Sequence, residues 1–199
     1  MTHPLPYSEA CERNRHSILG VLRTAFADRH RVLEIGAGTG QHAVHFARHL
    51  PWLAWLPTDR REYLAGLAAR VASEGPPNLA PPVELDVLAA PWPRFESDAA
   101  FSANTLHIMS WRAVQSLFAG VGSMLPAGGV LAVYGPFHYG GRATSDSNAA
   151  FDAMLRERDP GSGVRDFEAV DALAQAAGLA LQADHAMPAN NRLLVWRRA

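Results

Sequence analysis

Three glycines at alternate positions, Gly36, Gly38 and Gly40, follow the apolar run Val32-Leu33-Glu34-Ile35 and lead into Gln41 and His42. Residues of these types in this order make a ligand cradle. Glycine permits a tight turn and lets the backbone, here with Ala37 between the first two glycines, come close to a bound group that a Cβ would obstruct. A strand, such a loop and then a helix is the context in which a glycine motif holds a nucleotide-like cofactor. A dinucleotide fingerprint spaces its glycines as G-x-G-x-x-G. Here the spacing is G-x-G-x-G with Gln41 next, which favours S-adenosylmethionine over NAD and counts against an NAD-dependent oxidoreductase.

Other residues with chemistry fall at the ends of apolar runs. Asp59 closes a second strand, where a carboxylate accepts hydrogen bonds from ribose hydroxyls. Asn104 closes a fourth strand, whose carboxyl end faces the ligand crevice of an open α/β sheet, so it is expected to contact cofactor or substrate. His107 lies just beyond and is the leading candidate for a general base, because an unperturbed imidazole titrates near neutrality. His138 and Tyr139, after a fifth strand, are second candidates for the substrate wall. Asn14 and Arg15 are placed on an N-terminal helix covering the cofactor, with Arg15 set to pair with a carboxylate. His42, His45 and His49 share one helical face, but no cysteine or carboxylate completes a ligand set, so no metal is expected and His42 is read instead as a cofactor contact. Cys11 has no partner for an internal disulfide and reads as a packed thiol.

The elements that must position these groups follow from periodicity. Ser8 caps a helix running to about Phe26, with Cys11, Ile18, Leu19, Leu22 and Phe26 at helical spacing. Arg31 to Ile35 reads as a strand, Gln41 to Leu50 as a helix, Trp52 to Pro57 as a strand ending at Thr58-Asp59, and Glu62 to Ser73 as a helix. Gly75 to Pro82 is a proline-rich loop. Val83 to Val87 and Asp98 to Ala103 are strands, Trp111 to Met124 a helix and Gly129 to Tyr134 a strand. Gly135 to Asn148 is rich in Gly, Ser, Thr and Asn and is expected to form an active-site loop before a helix near Ala149 to Arg158. A helix over Glu168 to Ala177 precedes two closing strands, Leu179 to Ala183 and Arg192 to Trp196, able to pair as a hairpin. Alternating strands and short-linked helices imply right-handed crossovers and a doubly wound, Rossmann-like sheet.

Composition narrows the function classes. The chain of 199 residues suits one domain, divided here into an N-terminal helical cap over 1–30 and a core over 31–199. With 48% hydrophobic and 19% charged residues and no long apolar run, it reads as globular without a membrane span. The first residues, Met1 to Pro6, lack the basic and apolar regions of a signal peptide, so a cytoplasmic location is expected. A formal charge of −1 supplies no field to draw nucleic acid. Trp52, Trp55 and Trp92 lack the basic interleaving of stacking platforms. The expected partner is a small-molecule substrate, with the oligomeric state open.

The glycine segment, with Glu34 before it, resembles motif I of class I S-adenosylmethionine-dependent methyltransferases. That resemblance implies contacts from Asp86 and Val87 to the adenine. The Asn/Asp-Pro-Pro-Tyr/Phe motif of methyltransferases acting on adenine or glutamine is absent after the fourth strand, which weakens those substrates. Across the whole chain, Cys11-Glu12-Arg13-Asn14-Arg15, Trp55-Leu56-Pro57-Thr58-Asp59, Asn104-Thr105-Leu106-His107-Ile108, Tyr134-Gly135-Pro136-Phe137 and Ser145-Asp146-Ser147-Asn148 with Phe151-Asp152 resemble the small family that includes methyltransferase-like 26. The resemblance implies a seven-stranded, mostly parallel sheet with an antiparallel last strand. It also implies methyl transfer from S-adenosylmethionine, with S-adenosylhomocysteine as product. The alternative is a protein that binds the same cofactor as a sensor or complex subunit without transferring the methyl group.

Overall fold

The structure, a computed structural model, describes residues 5–199; the leader reading over Met1 to Pro4 lies outside the described residues. Helix α1 (Glu9–Ala25) starts where the Ser8 hydroxyl accepts from the Cys11 N–H, as its cap residue is suited to do. Strand β1 (Arg31–Ile35), helix α2 (Gln41–His49), strand β2 (Ala54–Asp59), helix α3 (Arg61–Glu74) and the short strand β3 (Val83–Glu84) follow. Next come β4 (Ala99–Ala103), α4 (Trp111–Met124), β5 (Val130–His138), α5 (Asp146–Arg158), β6 (Arg165–Asp166), α6 (Phe167–Ala176) and the pair β7 (Leu179–Met187) and β8 (Asn191–Arg198).

The main sheet runs β3-β2-β1-β4-β5-β8-β7, and β6 adds a two-residue ladder to the end of β5. Pairings from β3 to β5 are parallel; β8 is antiparallel to both neighbours. The seven-strand main path is the mostly parallel α/β sheet with an antiparallel last strand that the resemblance implies, and β6 makes an eighth strand. Strand order reverses between β1 and β4, which opens a crevice at the carboxyl ends of the strands.

Successive strand residues point to opposite faces, so Val32 enters one core and Leu33 the other. The first core packs Ile18, Leu22 and Phe26 of α1 and its end against Phe46, Trp55 and Phe101. Phe46 meets Phe101 edge to face, with ring centres 5.3 Å apart, a favoured aromatic geometry. The second core packs Leu117, Phe118 and Val121 of α4 against Leu131 and Trp196. Covering both faces explains why the strands read as continuous apolar runs rather than alternating ones.

Several expected boundaries move, the closing strands among them, since β7 runs on to Met187. Strand β3 stops at Glu84 instead of Val87, because the Asp86 carboxylate accepts from Leu88 N–H at 2.9 Å and turns the chain. Strand β5 continues past Tyr134 to His138, because Gly135 and Pro136 still pair with β8 while Phe137 and His138 pair with β6. The loop expected from Gly135 therefore begins after His138. Trp52 lies in the turn before β2, where its indole N–H donates to the Phe26 carbonyl.

Candidate active site

Gly36, Gly38 and Gly40 all take positive φ, at 75°, 55° and 76°, a region that costs other residues about 1–2 kcal/mol. The loop is moored by the Thr58 carbonyl, which accepts from both Gly36 and Ala37 N–H at 3.0 Å. Gly38 N–H donates to Asp59 Oδ2 at 2.7 Å. The three glycines differ in what surrounds them. A Cβ on Gly36 would lie 2.7 Å from the Thr105 methyl and one on Gly40 2.7 Å from Leu67, whereas one on Gly38 would project into open space. Gly38 is thus the position at which the backbone is bare toward the cleft.

That cleft, of about 840 Å³, runs along the carboxyl ends of the strands. Over β3, β2 and β1 it is lined by Asp86, Val87, Asp59, Gly36, Ala37 and Gly38; α1 and α2 add Cys11, Arg13 and His42. Over β4 and β5 it is lined by Asn104, Thr105, His107, Ile108, Met109 and Pro136, with Asn148 and Phe151 of α5 and Asn191 closing the far end. The two arginines on the wall, Arg13 and Arg60, belong to α1 and to the end of β2. The far half therefore mixes apolar side chains with uncharged amides and hydroxyls, and Asp159 is the charged side chain on its wall.

His107 is buried and meets Phe151 edge to face at 5.3 Å, and a Cβ on Gly135 of β5 would lie 3.7 Å from its Nδ1. Burial, reinforced by the charge of Arg165, lowers its pKa to about 4. It is neutral at physiological pH and able to accept a proton. Asn148 commits its Nδ2 to Thr144 Oγ1 at 2.8 Å and to the Asn190 carbonyl at 3.0 Å, so Oδ1 is the atom it can offer a ligand. Asn104 adopts φ 56°, and its N–H donates to the Tyr134 carbonyl.

Burial is the main reason why Asp59 is raised from the ordinary carboxylate range, against the bonds it accepts from Gly38 and Arg60 N–H. His42, on the wall, is pushed down to about 3 by burial. It contacts Asn14 Oδ1 at 2.7 Å through Nε2 and lies 3.9 Å from the Cys11 sulfur through Nδ1. Burial also raises Cys11.

Six sequence candidates, Asn14, Arg15, Glu34, Gly40, His138 and Tyr139, do not line this cleft with their neighbours. Asn14 is buried behind the wall and orients His42. Arg15 turns to Glu12 at 2.6 Å; Arg13 takes the place on the wall, since residues two apart on a helix face opposite ways. Glu34 is buried against Trp55, whose indole N–H donates to Oε2 at 2.7 Å, and desolvation raises its pKa to about 8. Gly40 caps α2 and packs on α3. Tyr139 is held elsewhere: its hydroxyl donates to Asp184 Oδ2 at 2.8 Å, its ring stacks on Phe167, and the Arg192 guanidinium lies 5.6 Å from the ring centre. Burial and Asp184 hold its pKa well above the ordinary phenol value. His138 likewise lies away from the cleft wall, with Nε2 buried and without a partner. His45 sits between His16 and His49, with ring centres 4.9 and 4.3 Å away; no group of three His, Cys, Asp or Glu among the described residues is arranged to hold a metal ion.

Sequence reasoning passed over Thr105, Arg13 and the Asp159 to Arg165 segment. The Gly161-Ser162-Gly163 turn was a visible signal of a tight backbone approach, but nothing in its spacing says which segment it approaches.

Solved structures share this fold. An O-methyltransferase family protein from Burkholderia thailandensis superposes with a TM-score of 0.81 at 16% identity, covering 96% of this chain and 58% of that one. The S-adenosylmethionine-dependent methyltransferase SibL, in its apo form, gives 0.79 at 22%, covering 95% and 55%. Human N-acetylserotonin methyltransferase, in complex with SAM, gives 0.80 at 18%, covering 96% and 53%. The chain spans a little over half the length of these structures, and its fold is that of the class I methyltransferases. The model of a protein family described as "Protein of unknown function (DUF938)" matches residues 5–198, and the chain belongs to that family.

Proposed function

We propose that this protein is an S-adenosylmethionine-dependent methyltransferase that methylates a hydroxyl of a small, uncharged acceptor, with His107 as general base. The observation that carries the reading is one cleft with two unlike halves: a bare glycine loop tied to Asp59 at one end, and a neutral buried imidazole beside Ile108, Met109, Pro136 and Phe151 at the other. The cofactor residues present fit an adenosylmethionine. Gly38 leaves room for close approach, Asp59 offers a carboxylate to ribose hydroxyls, Asp86 and Val87 flank an adenine, and Arg13 lies at the α1 end for a carboxylate. The SAM complex of human N-acetylserotonin methyltransferase supports the choice of cofactor.

The cofactor, when bound, supplies an electrophilic methyl group on a sulfonium. The chain's own residues then need only hold the acceptor in line and take its proton. His107 takes that proton on a ring nitrogen; Ile108, Met109, Pro136 and Phe151 exclude water; Asn148 orients a donor group on the acceptor. An imidazole titrating at about 4 is a weak base, which suits an acidic hydroxyl, such as that of a phenol or enol, better than an alkyl alcohol. The whole-chain resemblance to the family of methyltransferase-like 26 belongs to the same reading. Its test is calorimetric: S-adenosylmethionine and S-adenosylhomocysteine bind and NADH does not. Failure of both to bind at millimolar concentration, with binding of NADH, would overturn the proposal.

A further inference from the structure

Beyond strand β4 the chain makes a tight turn in which Ile108 and Met109 N–H both return to the Thr105 carbonyl. Four successive carbonyls of this turn are held by a single segment, residues 161–165. Arg165 Nε donates to the Leu106 carbonyl at 3.1 Å. Gly163 N–H donates to that of His107 at 2.8 Å, and Ser162 Oγ to that of Ile108 at 3.1 Å. Arg165 Nη2 closes the set on Met109 and also reaches the Gly161 carbonyl at 2.8 Å.

Arg165 is buried and forms no salt bridge with any carboxylate among the described residues. A desolvated guanidinium is costly unless its donors are satisfied, and here they are spent on backbone. The Trp111 ring lies 5.9 Å from it. The clamp is itself braced: Asp152 accepts from Val164 N–H at 2.6 Å and binds Arg156, and Asp159 accepts from Gly161 N–H at 2.9 Å.

We propose that Arg165 is a positioning residue: through the Gly161 to Val164 loop and its own guanidinium it fixes the Leu106 to Met109 turn, and so the place of the His107 imidazole, independently of cofactor binding. The proposal rests on His107 being the base of the reading above. A base displaced by about 1 Å loses on the order of a hundredfold in rate, which gives such a clamp its use. The charged group facing His107 is Arg165 from β6; Asp152 and Arg156 of α5 and Asp159 just after it face Arg165 in turn.

The test compares R165K, R165M and S162A with the parent protein by amide hydrogen exchange at Gly163, NMR titration of the His107 ring, and calorimetry with S-adenosylhomocysteine. R165K keeps the charge and loses the fork, so Gly163 exchanges about tenfold faster or more while S-adenosylhomocysteine affinity holds. R165M additionally moves the His107 titration upward from about 4 toward the ordinary 6.5. S162A, which keeps Arg165, shows the same change at Gly163 in smaller measure and decides the matter together with R165K should R165M fail to fold. Unchanged exchange in folded R165K and S162A, or cofactor affinity falling in step with exchange, would overturn the clamp. If the parent protein does not bind S-adenosylhomocysteine, or H107A transfers methyl groups normally, the functional reading fails while the exchange and titration results still stand.

Discussion

The N–H of Gly38 and the Oδ2 of Asp59 are 2.7 Å apart, so the tip of the glycine loop is fastened to the end of the neighbouring strand by a charge-assisted bond. One carboxylate thereby shapes the loop and offers its remaining lone pairs to the cleft, with Oδ1 also accepting from Arg60 N–H at 2.8 Å.

Replacing Asp59 by Ala removes both functions. A hydrogen bond to a charged group contributes about 1.5–3 kcal/mol, so S-adenosylhomocysteine affinity measured by calorimetry falls roughly 10- to 100-fold. Affinity equal to that of the parent protein would remove Asp59 from the binding site.

The glycines separate stability from binding. G36A drives a Cβ to 2.7 Å from Thr105, which is itself buried, and lowers the unfolding free energy by about 2 kcal/mol or more. G38A meets nothing in the protein, so it costs only the backbone strain, about 1–2 kcal/mol, yet it abolishes cofactor binding. Denaturant titration and calorimetry on the two variants check this; a G38A protein that binds normally would show that the cofactor does not approach the loop there.

The difference between those two glycines marks how far the sequence could be read. Alternate glycines after an apolar strand gave the loop, and the strand-end rule gave Asp59, Asn104 and His107 their places at one sheet edge. Helical periodicity gave α1, but not which of Arg13 and Arg15 faces the cleft, because that depends on how the helix is rotated against Ile18 and Leu22. The place of Tyr139 off the cleft wall was not legible, because β5 runs four residues farther than its apolar run, held by pairing with β8 and β6 that no local pattern announces. The 161–165 clamp was illegible for the same reason: its partners lie more than fifty residues away and are backbone carbonyls, which any sequence supplies.

Glu34 gives the fold a pH dependence of defined sign. Desolvation, opposed by the Trp55 bond and aided by the Asp59 charge, raises its pKa from 4.5 to about 8 in the folded state. Between those values the native state holds a proton that the unfolded chain has released. The contribution of Glu34 is therefore full below about 4.5 and is lost as pH rises to about 8. E34Q keeps an acceptor for Trp55 and removes this slope, so over that window its stability relative to the parent rises with pH, by up to about 1.4 kcal/mol per unit. Urea titrations across the window check it; parallel curves would contradict a buried, proton-bearing Glu34.

Tyr139 packs with Asp184, Arg192 and Phe167, off the cleft wall. Y139F loses one hydrogen bond and about 1 kcal/mol of stability, with methyl transfer unchanged. A large fall in transfer by a stably folded Y139F would return this residue to the reaction.

The central claim is that the cleft moves a methyl group to a small molecule with His107 taking the proton. Incubation of methyl-labelled S-adenosylmethionine with the protein and a small-molecule extract measures it directly. Label is expected in a small-molecule product, reduced about a hundredfold or more in H107A while S-adenosylhomocysteine affinity is retained. No labelled product from a parent protein that binds the cofactor, or equal labelling by the parent and H107A, would contradict it.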